Sequence, residues 1–105
     1  MRNRIDQLNE FIKEEPENPF LIYALALEYL KTEPTQAKIY FDQLLKYHPS
    51  YLPTYYHAAQ FYLEIDQRSR ARQIYEVGIA LTRKTEDHHA LKELQNAYTN
   101  FLLDD

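Results

Sequence analysis

The chain repeats itself at a spacing of 33 to 34 residues, and this repeat constrains its fold more than any other feature. Both spacings align like residues: at 33, Tyr23 with Tyr56, Ala26 with Ala59, Tyr29 with Tyr62 and Leu30 with Leu63; at 34, Ala37 with Ala71, Phe41 with Tyr75 and Leu45 with Ile79. Periods of 20–50 residues are typical of solenoids, in which each repeat is one supersecondary unit. The one-residue difference falls in the turn, where a helical hairpin tolerates a deletion best.

Apolar residues recur at helical spacing in six runs, and proline or polar residues separate the runs. The predicted apolar faces are Ile5, Leu8, Phe11 and Ile12; Ile22, Leu25, Ala26 and Tyr29; Ala37, Phe41, Leu44 and Leu45; Tyr55, Ala58, Ala59 and Tyr62; Ala71, Ile74, Tyr75 and Ile79; and Leu91, Leu94, Tyr98, Phe101 and Leu102. Asn3 is the expected N-cap of the first helix, and Thr85 or Asp87 that of the sixth. Because the links are short, neighbouring helices are expected to be antiparallel.

The composition excludes several other classes of protein. A single glycine leaves little material for β-hairpins or phosphate-binding loops, and the absence of cysteine removes disulfides and thiolate chemistry. No nucleophile motif is present, and adjacent His88 and His89 point about 100° apart on a helix, which is poor geometry for one metal ion. We therefore expect no enzyme, no metal and no cofactor.

Charge and hydropathy predict the class of partner and the cellular compartment of the protein. The net charge of −4 argues against nucleic acid as a partner. Arg68 and Arg72, four residues apart, indicate a solvated helix face or, alternatively, a site for phosphate or an acidic peptide. The N-terminal segment has no apolar run of a signal peptide, and no stretch reaches the ~20 apolar residues of a membrane span. These features predict a soluble, cytoplasmic protein without membrane contact.

The repeated positions resemble the tetratricopeptide repeat family, whose unit of 34 residues pairs small and aromatic residues on two helices. The matching residues are Ile22, Leu25, Ala26, Tyr29, Ala37, Phe41 and Pro49 in one unit, and Tyr55, Ala58, Ala59, Tyr62, Ala71 and Tyr75 in the next. Two positions depart from the pattern, since Arg83 replaces a closing proline and Asp66 a turn glycine. Asp66 tolerates left-handed geometry, and the helix before Arg83 has no proline to end it.

The resemblance implies an all-α protein, a right-handed α-superhelix of antiparallel helix hairpins with about six helices. We predict one domain, 1–105, in which repeat 1 spans 18–50 and repeat 2 spans 51–84. Residues 1–16 are predicted to form an N-terminal half-repeat helix, and 85–105 a C-terminal capping helix. The end helices supply the burial that terminal repeats of a solenoid need.

In this family the first helix of each unit lines a concave surface where ligands bind, which implies a protein- or peptide-binding scaffold. The candidate binding residues on that face are Phe20, Tyr23, Leu27, Leu30, Tyr56, His57, Gln60, Leu63, Lys92 and Asn96. Their aromatic, mildly polar character favours a peptide with apolar anchors. The same tyrosines and leucines are alternatively packing residues between helices.

Two further hypotheses concern the partner. Capture of an acidic chaperone tail, known in the family, needs repeated Lys and Asn, and only Lys92 and Asn96 provide them here, so we do not favour it. The second hypothesis is a structural or homodimerising module, because the run from Phe101 to Leu103 has the apolar character of a face for a second copy.

Overall fold

The structure is a computed structural model that describes residues 3–104; Met1, Arg2 and Asp105, at the ends of the predicted domain, lie outside the described residues. Six helices and no strand occur in this range: α1 (Arg4–Glu14), α2 (Pro19–Thr32), α3 (Pro34–Tyr47), α4 (Pro53–Glu64), α5 (Arg68–Thr85) and α6 (His88–Leu103). The predicted all-α class, built from helical hairpins, is confirmed. The chain forms two compact units, Met1–Tyr51 and Leu52–Asp105.

The helix starts follow from local side-chain chemistry. Proline occupies the first position of α2, α3 and α4, where its missing N–H costs nothing. Asn3 accepts a hydrogen bond from the Asp6 amide at 2.9 Å, as predicted for the N-cap of α1. At the start of α6 the side chain of Asp87 accepts from the Ala90 amide at 3.1 Å, so the N-cap is Asp87 and not Thr85.

In the first unit, α2 and α3 form an antiparallel hairpin and α1 packs against α2. Leu8 of α1 meets α2 in a cluster of buried residues with Leu21, Ala24 and Leu25. Tyr29 and Tyr40 pack against this cluster, and their rings stack with centroids 5.6 Å apart.

Two predicted apolar positions are exposed, which corrects the sequence-based assignment. Phe11 is 60% exposed and Leu102 is 42% exposed. α1 packs against α2, and α6 packs against the α4–α5 hairpin, so only the strip of each helix that faces these partners is covered. Leu8 and Phe101 lie within those strips, whereas Phe11 and Leu102 lie outside them.

In the second unit, α4 and α5 form the hairpin, and α6 packs against both. Ala58, Ala59 and Ala71 are fully buried, as expected for small residues that let paired helices approach closely. The single glycine of the chain, Gly78, lies within α5 and not in a turn. A Cβ atom at this position would lie 2.7 Å from the Cβ of Tyr55. The close approach of α4 and α5 therefore depends on Gly78 having no side chain.

The two departures from the repeat pattern have structural consequences. Asp66, in place of the turn glycine, adopts the left-handed conformation with φ of 63°, as predicted. Because no proline follows the second repeat, α5 runs for 18 residues, compared with 14 for α3. It ends at Thr85, and its C-cap, Glu86, is also left-handed with φ of 58°.

Candidate peptide-binding cavity

A cavity of about 390 Å³ lies in the second unit between α4 and α6. Its lining residues are Tyr56, Gln60 and Leu63 from α4; Glu93, Asn96, Ala97, Asn100 and Phe101 from α6; and Asp104, which caps α6. The spacing of three and four residues on each helix places these side chains on one face. The cavity thus brings together four residues predicted from the sequence: Tyr56, Gln60, Leu63 and Asn96.

Gln60 is held in the cavity wall by a network of aromatic residues. Its side-chain Nε2 donates to the Tyr75 hydroxyl at 2.7 Å. The Tyr75 ring in turn packs against Tyr98 and Phe101, with ring centroids 5.6 and 5.8 Å apart. Burial raises the pKa of Tyr75, so the hydroxyl stays protonated at neutral pH. The Gln60 carboxamide therefore has a fixed orientation.

His57, another predicted binding residue, does not line this cavity. It is half-buried, and its ring lies edge-on to Tyr56 at 5.3 Å. Burial lowers the pKa of His57 below its ordinary value of 6.5, and the negative charge of Glu93 opposes that effect. His57 therefore packs beside Tyr56 and is largely uncharged at neutral pH.

We predict that His57 titrates below 6.5 in an NMR pH titration, and that Glu93→Gln lowers its pKa further, because the opposing carboxylate charge is removed. The unfolded chain takes up this proton at a higher pH than the folded chain does. The contribution of His57 to the free energy of unfolding is therefore complete above 6.5 and is lost as the pH falls from there to the folded pKa. Glu14→Gln, in the other unit, is the control; a folded pKa of 6.5 or higher would contradict the prediction.

Lys92 and Asn96 meet at a neighbouring depression of about 350 Å³, which His89 and Glu93 also line. The Lys92 ammonium group and the Glu93 carboxylate thus line the same depression. The depression that Lys92 lines and the 390 Å³ cavity therefore have only Glu93 and Asn96 in common.

The remaining predicted residues lie on α2 in the first unit. Phe20 is 55% exposed, whereas Tyr23, Leu27 and Leu30 are half-buried. The Tyr23 ring packs edge-on against Tyr51, with centroids 5.7 Å apart. Tyr23 thus combines partial packing with partial exposure, and the binding role of this face stays a prediction.

Five lining residues were not among those predicted from the sequence: Glu93, Ala97, Asn100, Phe101 and Asp104. The signal was present, since Glu93, Asn100 and Asp104 fall on the same helical face as the predicted Asn96. What the sequence did not reveal is that this face meets α4. Among residues 3–104, no group of three or more His, Asp or Glu side chains is arranged to hold a metal ion, and no helix is both long and apolar enough to cross a membrane.

Known proteins share this architecture of helical hairpins. The profile of the tetratricopeptide repeat family matches residues 29–94, more than half of the chain. A tetratricopeptide repeat domain protein from Salinibacter ruber is similar in its solution NMR structure, with a TM-score of 0.77 and 37% identity over 82% of this chain and 88% of that one. The crystal structure of the Salinibacter ruber protein has a TM-score of 0.76 and 36% identity, over 81% of this chain and 96% of that one.

A protein from Bordetella parapertussis has the same fold in its solution structure, with a TM-score of 0.83 over 100% of this chain and 92% of that one, at 22% identity. No curated protein matches the chain significantly. The repeat profile and the Salinibacter ruber structures agree with the hairpins and the small, closely packed residues described above. The chain belongs to the tetratricopeptide repeat family.

Proposed function

We propose that this protein binds a peptide segment of another protein in the cavity between α4 and α6, and that it catalyses no reaction. Tetratricopeptide repeats are in general protein–protein interaction modules. The observation that supports this use most directly is the cavity itself, in which side chains from the first helix of a hairpin and from α6 converge.

The lining of the cavity suits an extended peptide. Carboxamides both donate and accept hydrogen bonds, so Gln60, Asn96 and Asn100 match the N–H and C=O groups that an extended backbone leaves unpaired. Tyr56 and Leu63 supply apolar contact beside them. Because Tyr75 already holds Gln60, less side-chain entropy is lost on binding.

The exposed ring of Phe20, with Leu27 and Leu30, is the corresponding candidate surface on α2. We propose it as a contact for apolar side chains of the same kind of ligand. Tyr23 belongs to this set, with its inner edge against Tyr51.

The test is selection from a random-peptide phage library on the wild-type protein and on two variants, Tyr56→Ala and Tyr47→Ala. The wild type and Tyr47→Ala are expected to enrich related peptides, because Tyr47 is 63% exposed on α3 and outside the candidate surfaces. Tyr56→Ala is expected to lose them while its melting temperature changes little. No enrichment on the wild type would refute the proposal. Unfolding of Tyr56→Ala would show that the Tyr56 ring packs between helices and does not serve binding.

Self-association through the C-terminal end of α6 is the second candidate, because Leu102 is 42% and Leu103 76% exposed. Light scattering over a range of concentrations decides between the two. A dimer that Leu103→Ser abolishes would support self-association, whereas a monomer at high concentration would exclude it.

A further inference from the structure

We propose that copies of this chain associate head to tail, with α1 of one copy seated in a groove between α5 and α6 of the next. This groove is a different face from the peptide cavity between α4 and α6, and the association does not depend on peptide binding. It joins two unlike surfaces, whereas contact through the end of α6 alone would join two like surfaces.

The groove between α5 and α6 has a volume of about 630 Å³. It is lined by Glu76, Ile79, Ala80 and Arg83 from α5, and by Gln95, Asn96, Tyr98 and Thr99 from α6. The Tyr98 hydroxyl donates to Glu76 Oε2 at 2.6 Å and ties the two helices together, so the walls are fixed before anything binds. Leu102 and Leu103 follow Tyr98 and Thr99 by four residues and extend the same face of α6 with exposed apolar side chains.

The groove lies where the next helix of a solenoid would pack. α4 and α5 form a hairpin, and α6 follows α5 in the place of the first helix of a further hairpin. A second helix would be antiparallel to α6 and would cover the face that α5 and α6 present together. Within residues 3–104 no helix takes that place, and the groove is open.

α1 has the sequence of a second helix, and its exposed face is apolar. Residues 33 apart correspond between α1 and α3 and the links that follow them: Leu8 with Phe41, Phe11 with Leu44, and Pro16 with Pro49. Leu44 is fully buried, whereas Phe11 is 60% exposed. The helix that α1 packs against, α2, already forms its hairpin with α3. Phe11 therefore occupies a core position of the repeat that its own unit does not cover, and α6 of a second copy is the first helix that would complete its hairpin.

The repeat also sets the register of the docked helix. Leu8 of α1 corresponds to Tyr75 of α5 by one step of 33 residues and one of 34. Because equivalent helices of a solenoid stack beside one another, α1 would lie parallel to α5 with Leu8 level with Tyr75. Phe11, three residues further on, would then reach Ile79 and Ala80 in the groove.

The charges of the two surfaces agree with this register. Glu14, the last residue of α1, would be level with Leu81, about 3 Å along the helix axis from Arg83. Neither Glu14 nor Arg83 makes a side-chain ion pair or hydrogen bond with any residue from 3 to 104. With α1 turned end for end, Glu14 would approach Glu76 instead. The charges therefore favour the direction that the hairpin requires.

The test compares the wild type with two variants of the full chain, Phe11→Ser and Ala80→Glu, by sedimentation velocity over a range of concentrations. Contact between unlike surfaces continues from copy to copy, so the mass of the wild type is expected to rise to that of a dimer and beyond. Each variant is expected to raise the dissociation constant about thirtyfold, the effect of removing a central apolar anchor. An equimolar mixture of the two is expected to restore a dimer, because one variant keeps α1 and the other keeps the groove.

Matched controls separate this docking from a general effect on the surface. Ile39→Ser removes an apolar residue that is 56% exposed on α3, and Val77→Glu adds the same charge on α5 at a 44% exposed position outside the groove. Both controls are expected to associate as the wild type does. Phe11 and Ala80 are themselves exposed, so circular dichroism is expected to show unchanged helicity in all four variants.

Three results would overturn the proposal. A wild type that is monomeric at all concentrations would leave the groove to a helix of another protein. Association that survives in Phe11→Ser and is lost in Leu103→Ser would indicate contact between like ends of α6. A mixture of Phe11→Ser and Ala80→Glu that stays monomeric would show that α1 and the groove do not match. Peptide selection uses the other face of α6, so either proposal can fail while the other stands.

Discussion

Replacing Gly78 with alanine is expected to destabilise the protein by about 3 kcal/mol, near the upper end of the usual cost of overpacking a core. Alanine has the higher helix propensity, and at an open site in a helix this change would stabilise by about 1 kcal/mol. Here the new Cβ would lie 2.7 Å from the Tyr55 Cβ and 2.9 Å from its Cγ. These atoms are close to the backbone of α4, so they cannot move aside without separating the two helices.

Urea unfolding followed by circular dichroism measures this effect. Ala80, two residues further along α5 and exposed, provides the control. Ala80→Gly is expected to cost about 1 kcal/mol, so alanine is preferred at one position and rejected at the other. A Gly78→Ala variant as stable as the wild type would show that α4 and α5 can separate without loss.

Replacing Phe101 with alanine is expected to cost about 3–5 kcal/mol, the usual range for a large buried aromatic residue. Phe101 is 2% exposed, and its ring contacts those of Tyr75 and Tyr98 as well as the Arg68 guanidinium. This cluster docks α6 onto the α4–α5 hairpin. Its loss would leave a void that these neighbours fill only partly.

Leu103 is the matched control, an apolar residue on the same helix that is 76% exposed. Leu103→Ala is expected to change the free energy of unfolding by less than about 0.5 kcal/mol. Equal effects of the two substitutions in chemical denaturation would mean that α6 does not dock through Phe101. Because Phe101 also lines the cavity, its variant does not separate binding from folding, which is why Tyr56 carries the binding test.

The sequence alone determined the helices of this protein and their antiparallel pairing. The reason is that those features depend on local signals: apolar spacing of three and four residues, prolines at first helical positions, and short links. The left-handed turn at Asp66 was predictable for the same reason, because its position in the repeat requires a residue that tolerates positive φ.

Tertiary structure decided which apolar residues are covered and which surfaces meet. Phe11 and Leu102 follow the apolar period as well as Leu8 and Phe101 do, yet they are exposed, since coverage depends on which neighbours a helix has. Nothing in the sequence indicated that Gly78 lies against Tyr55 or that the acidic face of α6 meets Tyr56 and Gln60 of α4. These contacts join residues far apart in the chain, and only helix packing brings them together.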